Sequence, residues 1–148
     1  MNLGNNVNFY GMKPGMFSTE PWLITIGNDC FIGSNCKFIT HDGSTIILRK
    51  EIPDLEITKP IVIGNNVFIG VNCIILPGTK VGNRCIIGAG AVVKGDFPDN
   101  SVIAGVPAKK IKSVDEYLEK IKKESLHLGH LVGKEKEKAL KEYFNIKF

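Results

Sequence analysis

An aliphatic residue followed by glycine returns every six positions along much of this chain. The pairs are Ile26-Gly27, Ile32-Gly33, Ile63-Gly64, Ile69-Gly70, Val81-Gly82 and Ile87-Gly88, with Ile75 and Val93 in the same register and Leu3-Gly4 as an outlying earlier instance. The fifth place of each hexad is small: Cys30, Cys36, Val67, Cys73, Thr79, Cys85 and Ala91. The places between are rich in Gly, Asn and Asp. A period of six is neither helical nor simply alternating. It fits a short extended segment followed by a corner, with the aliphatic side chain pointing inward and the small one under the bend. Gly and Asn are expected to supply the positive φ that type II corners require. Three hexads then make one triangular coil, and coils stack through parallel ladders about 4.8 Å apart. The pattern predicts an all-β chain, a parallel β-helix of hexapeptide repeats around a column of Ile and Val.

The cysteines fall into this pattern. All four occupy the small inward place, and none has the close pairing of a C-x-x-C motif. They are expected to be structural thiols rather than zinc ligands or disulfide partners. The register breaks once, after Phe38, and returns at Ile57 or Ile63. An excursion at about 43–56 is therefore expected to leave the wall of the solenoid, with His41-Asp42-Gly43 at its root. Long ordered loops in compact domains are frequently functional.

Past Pro107 the hexads stop. Ser113 with Glu116 reads as a capping box, and Val114, Tyr117, Leu118 and Ile121 share one helical face. A second helix is expected at about 134–143, burying Leu140, Tyr143 and Phe144. Residues 1–112 are thus read as the β-helix domain and 113–148 as a C-terminal α-helical tail. Charge divides at nearly the same place. Residues 1–106 carry 8 basic and 8 acidic side chains, whereas 107–148 carry 11 lysines and 7 acids. Lysine and glutamate alternate in the tail, which makes a solvated helix and a poor phosphate track, so no nucleic acid partner is expected. No stretch is long and apolar enough for membrane insertion, and residues 1–15 lack the basic start and apolar run of a signal peptide. A cytoplasmic protein with reduced thiols is expected.

Four segments in order carry a resemblance to a known family. They are Thr40-His41-Asp42-Gly43-Ser44, Ile63-Gly64-Asn65-Asn66-Val67-Phe68-Ile69-Gly70, Gly88-Ala89-Gly90-Ala91-Val92-Val93, and the run from Asn100 through Val106-Pro107-Ala108-Lys109. Together, across about residues 20–112, they resemble the hexapeptide-repeat acyltransferases, in particular the sugar O-acetyltransferase branch with the maltose, galactoside and capsular polysaccharide enzymes. The resemblance implies a left-handed winding, which periodicity alone does not; crossovers between parallel strands are ordinarily right-handed. It also implies a homotrimer with active sites between subunits, acetyl-CoA as acyl donor without a metal, and a saccharide or other small-molecule acceptor, as in polysaccharide biosynthesis.

Residue by residue, the resemblance makes His41 the catalytic base. It places Val71, Ala89 and Lys94 along the pantetheine groove and Lys109 and Lys110 near the phosphates of CoA. Histidine suits the base role because an unperturbed imidazole titrates near pH 6.5. A carboxylate or backbone carbonyl on its other ring nitrogen would fix the tautomer, and both Asp42 and Glu20 are candidates. Asn8 is a candidate to orient the acceptor, although a coil-corner Asn is the commoner reason for such a residue. Trp22 is a candidate pocket wall, and end-cap packing explains it equally well. Arg49 and Lys50 on the excursion, like His127 and His130 in the tail, are read as solvent-facing.

The leading expectation is O-acetylation of a sugar or sugar nucleotide. N-acetylation of an amino-sugar nucleotide is the alternative; enzymes of that kind commonly carry an additional N-terminal domain. A γ-type carbonic anhydrase would need three coil histidines, whereas His41 stands alone on the coils. A non-enzymatic scaffold would account for the repeat but not for a histidine at the base of an interrupted coil.

Overall fold

In the computed structural model, which describes residues 1–147, the hexads form three parallel sheets that are the sides of a triangular solenoid. The first side holds β1 (Asn2–Leu3), β3 (Ile24–Ile26), β6 (Ile61–Ile63), β9 (Lys80–Val81) and β12 (Asp96–Phe97). The second holds β2 (Val7–Phe9), β4 (Cys30–Ile32), β7 (Val67–Ile69), β10 (Cys85–Ile87) and β13 (Ser101–Gly105). The third holds β5 (Lys37–Phe38), β8 (Ile74–Ile75) and β11 (Val92–Val93). Register follows the repeat: Ile69 pairs with Ile87 and Ile75 with Val93. The one long coil is set by Ile32 pairing with Ile69 and Phe38 with Ile75, and it contains the excursion.

Every aliphatic of the hexads from Ile26 to Val93 is buried, as are Cys30, Cys36, Val67, Cys73, Thr79, Cys85 and Ala91 beneath the corners. The small side chains have polar work to do there. Cys36 and Cys73 thiols donate to the Gly70 and Gly88 carbonyls at 3.1 Å, Cys30 donates to Gly64, and Thr79 Oγ1 donates to Val93 at 3.0 Å. The thiols thereby cap carbonyls of the following coil at the bend, while Thr79 adds a second bond to the Val93 carbonyl, which also accepts Leu76 N–H at 2.9 Å.

Asn and Gly supply the positive φ of most corners as expected, at Asn35, Asn66, Asn72, Gly78 and Gly90, but the glycine that follows the aliphatic residue does not. Positive φ falls on the residue just before the small place, among them Asp29, Asn35, Asn66, Asn72 and Arg84. The glycine after the aliphatic residue is needed for space instead. A Cβ on Gly27 would lie 2.6 Å from the Gly64 carbonyl oxygen, and one on Gly70 would lie 2.6 Å from Ala89 N. One corner is further tied by a ladder of side chains. Asn28, Asn65, Asn83 and Asp99 each accept, through Oδ1, the backbone N–H one residue past the glycine of the coil before, at 2.7–2.8 Å.

The solenoid ends at an antiparallel return. After β13 the chain reverses through residues 106–107 and β14 (Ala108–Ser113) pairs back along it, covering the edge of the second side, while β12 and β11 are the end strands of the other two. The chain divides into two compact units, Met1–Asp115 and a second from Glu116 onward. The second contains most of α2 (Val114–Glu124) and all of α3 (Gly133–Tyr143). Among its described residues none is fully buried. The expected burial of Tyr143 and Phe144 is therefore corrected: the two rings meet edge to face at 5.0 Å but are 59% and 58% exposed, and Leu140 is half-buried. Two eleven-residue helices rich in lysine and glutamate hold too little apolar surface to enclose them.

Candidate active site

The excursion leaves the wall just past β5. Asp42 N–H donates to Ile57 at 2.9 Å and Lys59 N–H to Thr40 at 2.8 Å, so a short antiparallel neck with His41 opposite Thr58 closes its base. Beyond the neck, α1 (Thr45–Leu48) begins where Asp42 Oδ1 accepts hydrogen bonds from Ser44 N (3.0 Å) and Ser44 Oγ (2.6 Å). These bonds lower the Asp42 carboxyl from its ordinary range, the Ser44 hydroxyl most, with the positive charge of Lys94 adding a smaller pull. Asp42 is thereby committed to its own loop.

The His41 ring is held by Glu20. Nδ1 lies 2.9 Å from Glu20 Oε2, with the hydroxyls of Ser18 and Thr19 farther off at 3.4 and 3.5 Å. Glu20 arrives from the segment ahead of a 3-10 turn at Pro21–Leu23, and that segment is pinned to the solenoid where Phe38 N–H donates to Met16. Thr19 Oγ1 donates to Glu20 Oε1 at 2.7 Å, and the fully buried Thr40 donates to Oε2 at 2.6 Å. Hydrogen bonds from Thr19, Thr40 and His41 bring the Glu20 carboxyl down from 4.5 to about 2. At neutral pH it is an ionised acceptor, so Nδ1 must carry the proton of a neutral imidazole and Nε2 keeps its lone pair. Of the two candidates from the sequence, Glu20 and not Asp42 orients the ring. The threonines that clamp Glu20 carried no signal of their own; only Thr40 stood inside a recognisable motif.

Two grooves meet at this histidine. One of about 380 Å3 is lined by Ile39, His41, Asp42, Gly43, Ile57, Lys59, Leu76, Pro77 and Lys94. A smaller one of about 180 Å3 is lined by Thr19, Glu20, His41, Asp42, Gly43 and Ile57 with Thr45, Ile46, Arg49 and Glu56 of the excursion. Lys94 thus joins His41, Asp42 and Glu20. Val71, Ala89, Lys109, Lys110, Asn8 and Trp22 lie outside both grooves. Val71 and Ala89 stack on one corner, where Gly90 N–H donates to Val71 at 2.9 Å. Lys109 and Lys110 are exposed on β14 opposite Ala104 and Ile103. Asn8 bonds within its own corner to Asn6, at 3.2 Å between side chains. Trp22 is 64% exposed. Arg49 donates through Nε to Leu55 at 3.0 Å, stitching the loop on which it sits. His127 and His130 are exposed. Among the described residues there is no group of three or more His, Cys, Asp or Glu that could hold a metal ion, and no helix long and apolar enough to cross a membrane.

Comparison with known proteins agrees with this architecture. Residues 60–95 match the bacterial transferase hexapeptide (six repeats) family, and residues 23–50 match the hexapeptide repeat of succinyl-transferase. Protein CapG of Staphylococcus aureus is 46% identical over 121 residues, covering 82% of this chain and 70% of CapG. The maltose O-acetyltransferase of Clostridium difficile 630 superposes with a TM-score of 0.59 at 30% identity, over 75% of this chain and 57% of that one. A hexapeptide-repeat acetyltransferase of Vibrio cholerae O1 biovar eltor, solved in complex with acetyl coenzyme A, gives 0.56 at 30% identity, over 75% and 58%. The chain therefore spans more than two thirds of CapG and somewhat over half of these two solved enzymes. By its repeats, its three-sided coil and its identity to CapG over most of both chains, the protein belongs to the hexapeptide-repeat acetyltransferase family and winds as a left-handed parallel β-helix.

Proposed function

We propose that this protein transfers the acetyl group of acetyl-CoA directly to a hydroxyl of a sugar or sugar-containing acceptor, with His41 as general base. The observation that carries this reading is the Glu20 carboxylate on His41 Nδ1 at 2.9 Å, at the point where two grooves converge. A base must have its reactive lone pair free and its ring fixed, and that contact supplies both. The naming of relatives supports the chemistry: a maltose O-acetyltransferase and an acetyl-CoA complex share the fold.

In the reaction the acceptor O–H attacks the thioester carbonyl while its proton passes to Nε2 of His41. Glu20 stabilises the imidazolium that forms. Collapse of the tetrahedral intermediate breaks the C–S bond, and Nε2 returns the proton to the departing thiolate, giving the acetyl ester and CoA. No protein nucleophile is required. In this reading the protein is a cytoplasmic homotrimer, and Val71, Ala89, Lys109 and Lys110 serve the donor groove shared with a neighbouring copy. Lys94 serves it from beside His41.

Replacing His41 with Ala is expected to reduce acetyl transfer by roughly 10²–10⁴-fold while calorimetry shows CoA binding retained. Unchanged turnover would remove His41 from the mechanism. Presenting matched amino and hydroxyl sugars in the same assay separates O- from N-transfer.

A further inference from the structure

The two grooves share His41, Asp42, Gly43 and Ile57, but their remaining walls differ in charge. The wider one adds Lys59 and Lys94 to an apolar floor of Ile39, Leu76 and Pro77. The narrower one adds Glu20 and Glu56 against Arg49. Glu20 and Asp42 are ionised at neutral pH, because hydrogen bonds to Thr19, Thr40 and Ser44 favour their charged forms. Arg49 has already committed its Nε to Leu55, and three carboxylates in the same lining outnumber it. The potential therefore changes sign across the histidine, positive on the Lys59 and Lys94 side and negative on the Glu56 side.

We propose that the two openings sort the reactants by charge. The polyanionic donor approaches over Lys59 and Lys94, and the acceptor enters beside Glu56 and Arg49. The acceptor class this selects is a neutral or cationic polyol, such as an unmodified or amino sugar; a sugar bearing a carboxylate or phosphate beside the reacting hydroxyl is rejected. Glu56 is then a specificity-determining residue contributed by the excursion. The inference rests on the acyl-transfer reading of His41 given above.

The physical reason is that an anionic acceptor would approach three carboxylates, Glu20, Asp42 and Glu56, along one groove, and their like charges repel it. A neutral polyol meets no such barrier and finds the exposed Glu56 carboxylate as an acceptor for a hydroxyl. Specificity here comes from exclusion as much as from attraction.

The test compares initial acetylation rates of methyl glucoside, glucosamine, glucuronate and glucose 1-phosphate, with acceptor-free acetyl-CoA hydrolysis measured in parallel. The neutral and amino sugars are expected to exceed the two anionic ones in kcat/KM by roughly tenfold or more. Glu56→Gln is expected to narrow that ratio by roughly fivefold, and Glu56→Lys to narrow it further. Glu56 is exposed, so neither substitution threatens folding. Equal or better transfer to the anionic sugars overturns the proposal. So does a ratio unmoved in both variants, or hydrolysis of acetyl-CoA without transfer to either favoured sugar. A protein that neither hydrolyses nor binds acetyl-CoA would remove the acyl-transfer reading itself, and this inference with it.

Discussion

In the proposed reaction Glu20 sets which nitrogen of His41 takes the proton, because a carboxylate held as an acceptor on Nδ1 leaves only Nε2 with a free lone pair. Glu20→Gln keeps an acceptor oxygen but loses the charge that steadies an imidazolium. Its kcat is expected to fall by roughly 10- to 100-fold, with the KM for acetyl-CoA little changed. The same residue has a signature in stability. Its carboxyl titrates at about 2 in the folded chain and at 4.5 ordinarily, so between these values the unfolded chain binds the proton and the folded chain does not. The contribution is complete above about pH 4.5 and is lost as pH falls through about 2. Thermal unfolding followed from pH 5 to pH 2 is expected to show a shallower loss for Glu20→Gln than for the native chain. Parallel curves would mean the clamp contributes nothing to folding. Glu20 was legible in the sequence only as one of two carboxylates; the choice between it and Asp42 depended on a buried threonine from the next coil and on Ser44 capturing Asp42.

At the scale of the elements, each strand is two or three residues long in most of the solenoid and would not persist alone. The corners and the inward column hold them. Ile87 is fully buried, and Ile87→Ala is expected to cost about 2–5 kcal/mol in denaturant unfolding. Gly64→Ala would set a Cβ 2.7 Å from the Gly82 carbonyl and from Asn83 Oδ1, forcing two coils apart. A cost of about 1–3 kcal/mol is expected. Gly43→Ala meets no atom within 4 Å and is expected to be neutral in stability, which makes it the matched control. The hexad pattern announced that glycine belongs at these corners. Its reason, contact with the following coil rather than backbone freedom, concerns residues far apart in the chain and so was not readable locally.

For the whole molecule, the two compact units differ in what resists unfolding. Residues 1–115 contain a continuous buried column, whereas the described residues beyond it are exposed or half-buried and carry most of the lysines of the C-terminal third. Limited trypsin digestion is expected to cut first within residues 116–147, leaving a resistant fragment that retains the β-helix. Cleavage at Lys37, Lys59 or Lys80 at comparable rates would show that the coils open as readily as the helices. The proposed trimer has its own measurement, since sedimentation equilibrium distinguishes three chains from one.

Sequence by itself determined the coil. A six-residue period with alternating inward aliphatic and small side chains admits few other structures, and every hexad residue it marked as inward from Ile26 to Val93 is buried; Ile61, buried beside the break, is the core residue it missed. It also located the break at His41, because a missing hexad is as visible as a present one. Tertiary structure decided the rest. Which carboxylate reaches the imidazole, and which lysines share a groove with His41, are contacts between segments tens of residues apart. A local repeat constrains only its nearest neighbours in the stack, whereas the site is built where the repeat is interrupted and distant segments meet.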